Sequence, residues 1–127
     1  MRFEAREIKP YGEPVSASSL KVGDVYFSVQ FVDRDTLLPN METWVFLGRR
    51  LDAEDVEDRL YFQDLDSYRQ GIRYDSENTE DAQFQVPTEN NINHFYEYER
   101  ALERLMECSL RRKKVLGDGN TLPIPSA

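Results

Sequence analysis

Apolar and polar residues alternate with a period of two over 24–32. Val25, Phe27, Val29 and Phe31 stand opposite Asp24, Tyr26, Ser28 and Gln30. That spacing predicts a strand with one face on a core. Residues 42–51 predict a second strand with Trp44 and Phe46 on one face and Val45, Leu47 and Leu51 on the other. Apolar residues on both faces suit a central strand. The connection 33–41 is expected to turn near Pro39-Asn40. A third strand is predicted over 59–63, then one helical turn over 64–71 ending at Gly71, and a short strand over 82–86 stopped by Pro87. A weak first strand is expected over residues 1–9, with Phe3, Ala5 and Ile8 as its apolar positions, before Pro10, Gly12 and Pro14 break regularity.

From Thr88 or Asn91 the period becomes 3.6. Ile92, Phe95, Tyr98, Leu102, Leu105, Met106 and Leu110 form one stripe, which predicts a long helix over 91–116 that covers the sheet. Gly117 sits just past its end, and Arg111, Arg112, Lys113 and Lys114 close it as the macrodipole prefers. The phrase Leu20-x-Val22-Gly23-Asp24 resembles the turn with which many small SH3-like barrels begin, a likeness of five residues that carries no function. The elements together predict an α+β domain: a small antiparallel sheet or partly open SH3-like barrel of about five strands, with one long C-terminal amphipathic helix. Residues 1–117 are expected to form a single domain and 118–127, with two prolines, an extended tail.

Composition adds a constraint. The 127 residues carry a formal charge of −8 and 12% aromatics. A net negative charge argues against nucleic acid or an anionic membrane as the default partner. The longest apolar run, Trp44-Val45-Phe46-Leu47, is far short of the ~20 residues that span a bilayer. The N-terminus MRFEAREIKPYGE has no apolar signal region. One cysteine and one histidine cannot build a Cys/His zinc centre, and no cofactor is expected. The expectation is a reduced, cytoplasmic protein.

The charge is concentrated. Residues 1–50 hold 7 bases and 7 acids, residues 51–90 hold 3 and 12, and residues 91–127 hold 6 and 5. The acidic third begins with Asp52, Glu54, Asp55, Glu57 and Asp58 and carries Tyr61, Tyr68 and Tyr74. Tyrosines among carboxylates suit Arg or Lys through cation–π and ionic attraction. These eight residues are therefore the candidate face for a basic protein partner, as in an inhibitor or immunity-type protein. The competing expectation for 52–58 is a solvated helix capped by Asp52, with Leu51 and Val56 as a hydrophobic staple. An EF-hand is disfavoured, since Val56 stands at the fifth loop position and no Gly at the sixth.

Other candidates have ordinary structural alternatives. A carboxylate-based, metal-dependent hydrolase is the second functional class, with His94 as base and Glu97 its neighbour on the helix. Cys108 flanks the apolar stripe and is expected to be buried and inert. Arg111–Lys114 form a small basic patch. Glu99, Glu103 and Glu107 form a row expected to be solvated and neutralised by Arg100, Arg104 and Arg111. Phe27, Phe31, Trp44 and Phe46 could line a ligand cavity or fill a core. A homodimer is conceivable through Tyr96 and Leu116, which lie off the stripe's centre.

Overall fold

A computed structural model describes residues 12–55 and 58–117. The strand expected over 1–9 and the tail 118–127 fall outside them. Five antiparallel strands form an open sheet in the order β4-β3-β2-β1-β5. They are β1 (Val25–Phe31), β2 (Pro39–Arg49), β3 (Leu60–Asp64), β4 (Phe84–Gln85) and β5 (Phe95–Tyr96), joined by the helices α1 (Leu65–Arg69) and α2 (Tyr98–Leu116). The fold is α+β, and the barrel does not close, because the edge strands β4 and β5 do not pair with each other.

β2 is central, as its two apolar faces require. It begins at Pro39, so the connection turns earlier than Pro39-Asn40. The Asp33 carboxylate, accepting from the amides of Leu37 (3.0 Å) and Leu38 (2.8 Å), organises that turn. Burial alone would raise the Asp33 carboxyl, but these amides outweigh it and hold it below its ordinary value.

The sheet is strongly curled. The Phe62 ring on β3 and the Phe95 ring on β5 stack at 4.1 Å, though two strands lie between them. Three strand spacings in a flat sheet would hold them roughly 14 Å apart. A β-bulge after Phe46 contributes to the bend: Phe46 pairs with Phe62 while Gly48, at φ +145°, pairs with Tyr61. The concave face collects Tyr26, Trp44, Phe46, Leu60, Phe62 and Phe95, with Val15, Leu20 and Ile92 packed against them. Trp44 Nε1–H donates to Ser28 Oγ at 3.0 Å inside this core. The polar side of β1 is thus buried as well as the apolar side, correcting the expectation of one core face.

The convex face is covered by the two helices. α2 lies over β1 and β5, where Phe27, Val29, Tyr96 and Ala101 form a second cluster with Leu105 beside it. Over β2 and β3 sits α1, whose buried Ser67 receives a hydrogen bond from Gln63 Nε2 at 2.8 Å. Gly71, at φ +94°, follows α1 as its terminator.

The long helix starts seven residues later than the periodicity implies. Residues 89–91 form a 3-10 turn and Phe95–Tyr96 pair with Phe27 and Ser28, leaving Glu97 as the extended N-cap of α2. As adjacent strand residues on opposite faces, Phe95 and Tyr96 are both buried, and α2 starts after them rather than at Thr88 or Asn91. Tyr96 is buried and is not a contact for a second copy. Gly117 ends α2 as expected, at φ +77°.

The buried side of α2 also differs from the stripe. Ala101, Glu103 and Cys108 are buried, whereas Tyr98, Leu102, Met106 and Leu110 stay exposed. Glu103, fully buried beside Arg100 at 2.7 Å, corrects the expectation of a wholly solvated acidic row. The expected neutralisation is present at Glu107, which pairs with both Arg104 and Arg111.

Gly12 lies directly against α2. A Cβ there would stand 2.2 Å from the Arg100 carbonyl oxygen, which no rotamer can relieve because both groups are backbone. Gly12→Ala is expected to cost about 1–3 kcal/mol. Urea unfolding measures it; a midpoint equal to that of the parent would show that this contact does not hold.

Candidate functional site

The acidic third folds into a cleft at one end of the curled sheet. Leu51, Asp52, Ala53, Tyr61, Tyr74, Asp75, Thr79, Phe84 and Val86 line a volume of about 500 Å³. β3 supplies Tyr61, and β4 with the residues after it supplies Phe84 and Val86. The two loops close the sides.

Residues 52–55 form a turn rather than the start of a capped helix. Asp52 Oδ1 accepts from the Glu54 amide at 3.0 Å, and the Asp55 amide donates to the Asp52 carbonyl at 3.1 Å. This side-chain turn satisfies the backbone locally. Val56 and Glu57 lie outside the described residues, so the staple and the Glu57 carboxylate are not placed.

Asp55 is tied into the cleft wall. The Tyr61 hydroxyl donates to Asp55 Oδ2 at 2.8 Å, and the Tyr61 and Tyr74 rings meet at 6.2 Å with a tilt of 56°. Burial, then the hydrogen bond and charge of Asp55, push the Tyr61 hydroxyl above its ordinary range, so it stays a donor. Tyr74 is 45% exposed, leaving ring surface open to a ligand. The cleft lining therefore combines the carboxylates of Asp52 and Asp75, two tyrosine rings and the apolar Leu51, Phe84 and Val86, with Asp55 held behind it on the Tyr61 hydroxyl.

Not every candidate joins it. Asp58 is ion-paired with Arg50 and lines a separate polar groove with Arg59, Thr88, Glu89, Asn90 and Asn91. Tyr68 is covered by its own neighbour, with the Arg73 guanidinium 3.9 Å from the ring centre and hydrogen-bonded to the Tyr68 carbonyl at 2.9 Å. Glu54 is exposed and its carboxylate does not line the cleft. Of the eight residues singled out by sequence, Asp52, Asp55, Tyr61 and Tyr74 come together. Asp75, Thr79, Phe84 and Val86 complete the cleft, and only the adjacency of Asp75 to Tyr74 hinted at any of them.

Asp64 fixes this end of the sheet. Its carboxylate accepts from the Ser67 amide at 3.0 Å, from the Ser67 hydroxyl, and from the Gln83 amide at 2.8 Å. It thereby caps α1 and anchors the segment that continues into β4 and the cleft floor. Burial would raise the Asp64 carboxyl, but these donors prevail and hold it below its ordinary value.

The remaining reactive groups have structural engagements. His94 precedes α2, so it shares no helical turn with Glu97; its Nε2 lies 3.3 Å from Gln85 Oε1, and burial lowers its pKa. Cys108 is buried with Sγ 3.6 Å from the carbonyl oxygens of Thr36 and Leu37, and burial raises its thiol. Arg111 donates from Nε and Nη2 to the Thr36 carbonyl at 3.0 and 2.6 Å, which removes it from the basic patch. Trp44 and Phe46 belong to the concave core, Phe27 and Phe31 to the convex one, so the four rings do not line one cavity. Among the described residues no three His, Cys, Asp or Glu side chains are grouped to hold a metal ion, and no helix is long and apolar enough to cross a membrane.

No protein-family model, curated protein or solved structure matches this chain.

Proposed function

We propose that the chain is a non-catalytic interaction module that docks a basic protein partner by seating an Arg or Lys side chain in the Tyr61–Tyr74 cleft. The observation that carries this reading is the convergence of Asp52 and Asp75 with two tyrosine rings above an apolar floor, Asp55 being joined to them through the Tyr61 hydroxyl. A long cationic side chain has a matching anatomy, its methylene stem lying on Leu51, Phe84 and Val86 while its charge meets ring faces and carboxylates. The carboxylate-based hydrolase has no corresponding constellation behind it among the described residues.

An oligo-arginine peptide titrated calorimetrically provides the test. The parent protein is expected to bind it with an affinity that falls as salt rises, and Asp52→Lys/Asp75→Lys to bind about tenfold more weakly or worse. Glu77→Lys/Glu80→Lys changes the charge equally at exposed positions outside the cleft lining and is the control. Equal weakening by both pairs would mean diffuse attraction and would remove the cleft from the interpretation.

A further inference from the structure

The exposed row on α2 is a second surface, independent of the cleft. Leu102, Met106 and Leu110 are 44%, 42% and 48% exposed and follow one another at four-residue intervals, with Tyr98 at 38% one step before them. Four residues advance a helix by one turn plus about 40°, so these side chains form a continuous, gently winding ridge. Met106 and Leu110 face away from the side of α2 that carries Ala101 and Cys108 and packs on the sheet, while at the start of the row the Tyr98 ring leans back on Phe27 at 5.3 Å.

The pattern along this ridge is symmetric about Met106. Leu102 and Leu110 lie four residues to either side, Glu99 and Lys113 seven, and Tyr98 and Lys114 eight. Opposite signs therefore stand at equal distances from one centre. The ion pairs Arg100–Glu103, Arg104–Glu107 and Arg111–Glu107 lie along the flanks and are closed within the helix. Lys113 and Lys114 are exposed and form no ion pair with a described residue.

We propose that a second copy of this chain covers the ridge, the two α2 helices packing antiparallel across a two-fold axis at Met106. Each Leu102 then meets the partner's Leu110, each Met106 meets its symmetry mate, and the acidic start of each helix meets the basic end of the other. This is the self-complementary contact that a two-fold interface requires. The antiparallel arrangement also sets opposed helix dipoles side by side. A parallel pair would bring Lys113 and Lys114 against their own copies. One ridge on one helix is a small contact, so the dimer is weak, with a dissociation constant on the order of micromolar.

Sedimentation equilibrium of the full chain over a wide concentration range tests the proposal. The parent is expected to pass from monomer to dimer, and Met106→Glu to remain monomeric with an unchanged circular dichroism spectrum. Lys113→Glu and Glu99→Lys are each expected to weaken association about tenfold, and an equimolar mixture of the two to associate as the parent does, because the mixed pair restores both contacts. A monomer at every concentration overturns the proposal. So does a dimer indifferent to Met106→Glu, or single charge variants that the mixture does not rescue. Should Glu99→Lys perturb the fold, oxidation of Met106→Cys decides: a covalent dimer supports the axis at Met106, and its absence overturns it.

Discussion

Phe62→Ala is expected to lower the unfolding free energy by about 3–5 kcal/mol, against a total of about 5–15 kcal/mol for a domain of this size. Phe62 is fully buried and makes ring contacts with Phe95 at 4.1 Å, Phe46 at 5.3 Å and Tyr26 at 6.4 Å. Those three partners come from β5, β2 and β1, so one ring joins the curled sheet from side to side. Truncation leaves a void that neighbouring aromatics cannot fill without leaving their rotamers, and the cavity cost adds to the lost transfer free energy. Phe62→Leu keeps most of the volume and should cost about half as much. Urea denaturation followed by tryptophan fluorescence reads both, since Trp44 lies in the same cluster. A loss below about 1.5 kcal/mol for Phe62→Ala would contradict a ring packed on all sides.

Asp64→Ala is expected to cost about 2–4 kcal/mol near neutral pH, because it strips partners from the Ser67 amide, the Ser67 hydroxyl and the Gln83 amide at once. The pH dependence has a definite sign. The folded-state carboxyls of Asp64 and Asp33 both lie below their ordinary value of 3.8. Their contribution is therefore complete above that value and is lost as pH falls through the lower, folded values. The parent should lose stability steeply below about pH 4, and Asp64→Ala should show a shallower acid limb. Stability measured by urea midpoint across that range decides it, and parallel curves for the two proteins would refute the assignment. Because Asp64 also anchors the chain at Gln83, the variant should weaken peptide binding at the cleft without touching a cleft residue.

Period-two alternation located β1, β2 and β3 to within a few residues, because those strands bury side chains on a fixed pleat. The helix boundary was less legible. Ile92 and Phe95 continue the 3.6 spacing by coincidence, and only the pairing of β5 with β1 decides that they are not helical. The exposure of Leu102, Met106 and Leu110 was invisible for a related reason: apolar spacing marks an amphipathic face and does not say which surface it meets. Three of the eight candidate site residues line the cleft, and Asp55 joins them through the Tyr61 hydroxyl. Asp58 and Tyr68 drop out through Arg50 and Arg73, cations whose proximity depends on loop geometry. Asp75, Phe84 and Val86 arrive from a distant segment through the β3–β4 pairing, which no local pattern encodes.

The two margins of the sheet are only two residues long, at β4 and β5, while its longest strands lie inside. Among the described residues each margin offers a foreign strand only a short template to extend. Among the described residues, recognition by sheet addition, and the amyloid-like stacking that shares its chemistry, have only these short margins to build on. Contacts at these margins therefore fall mainly to side chains, which single substitutions can change while leaving the sheet untouched.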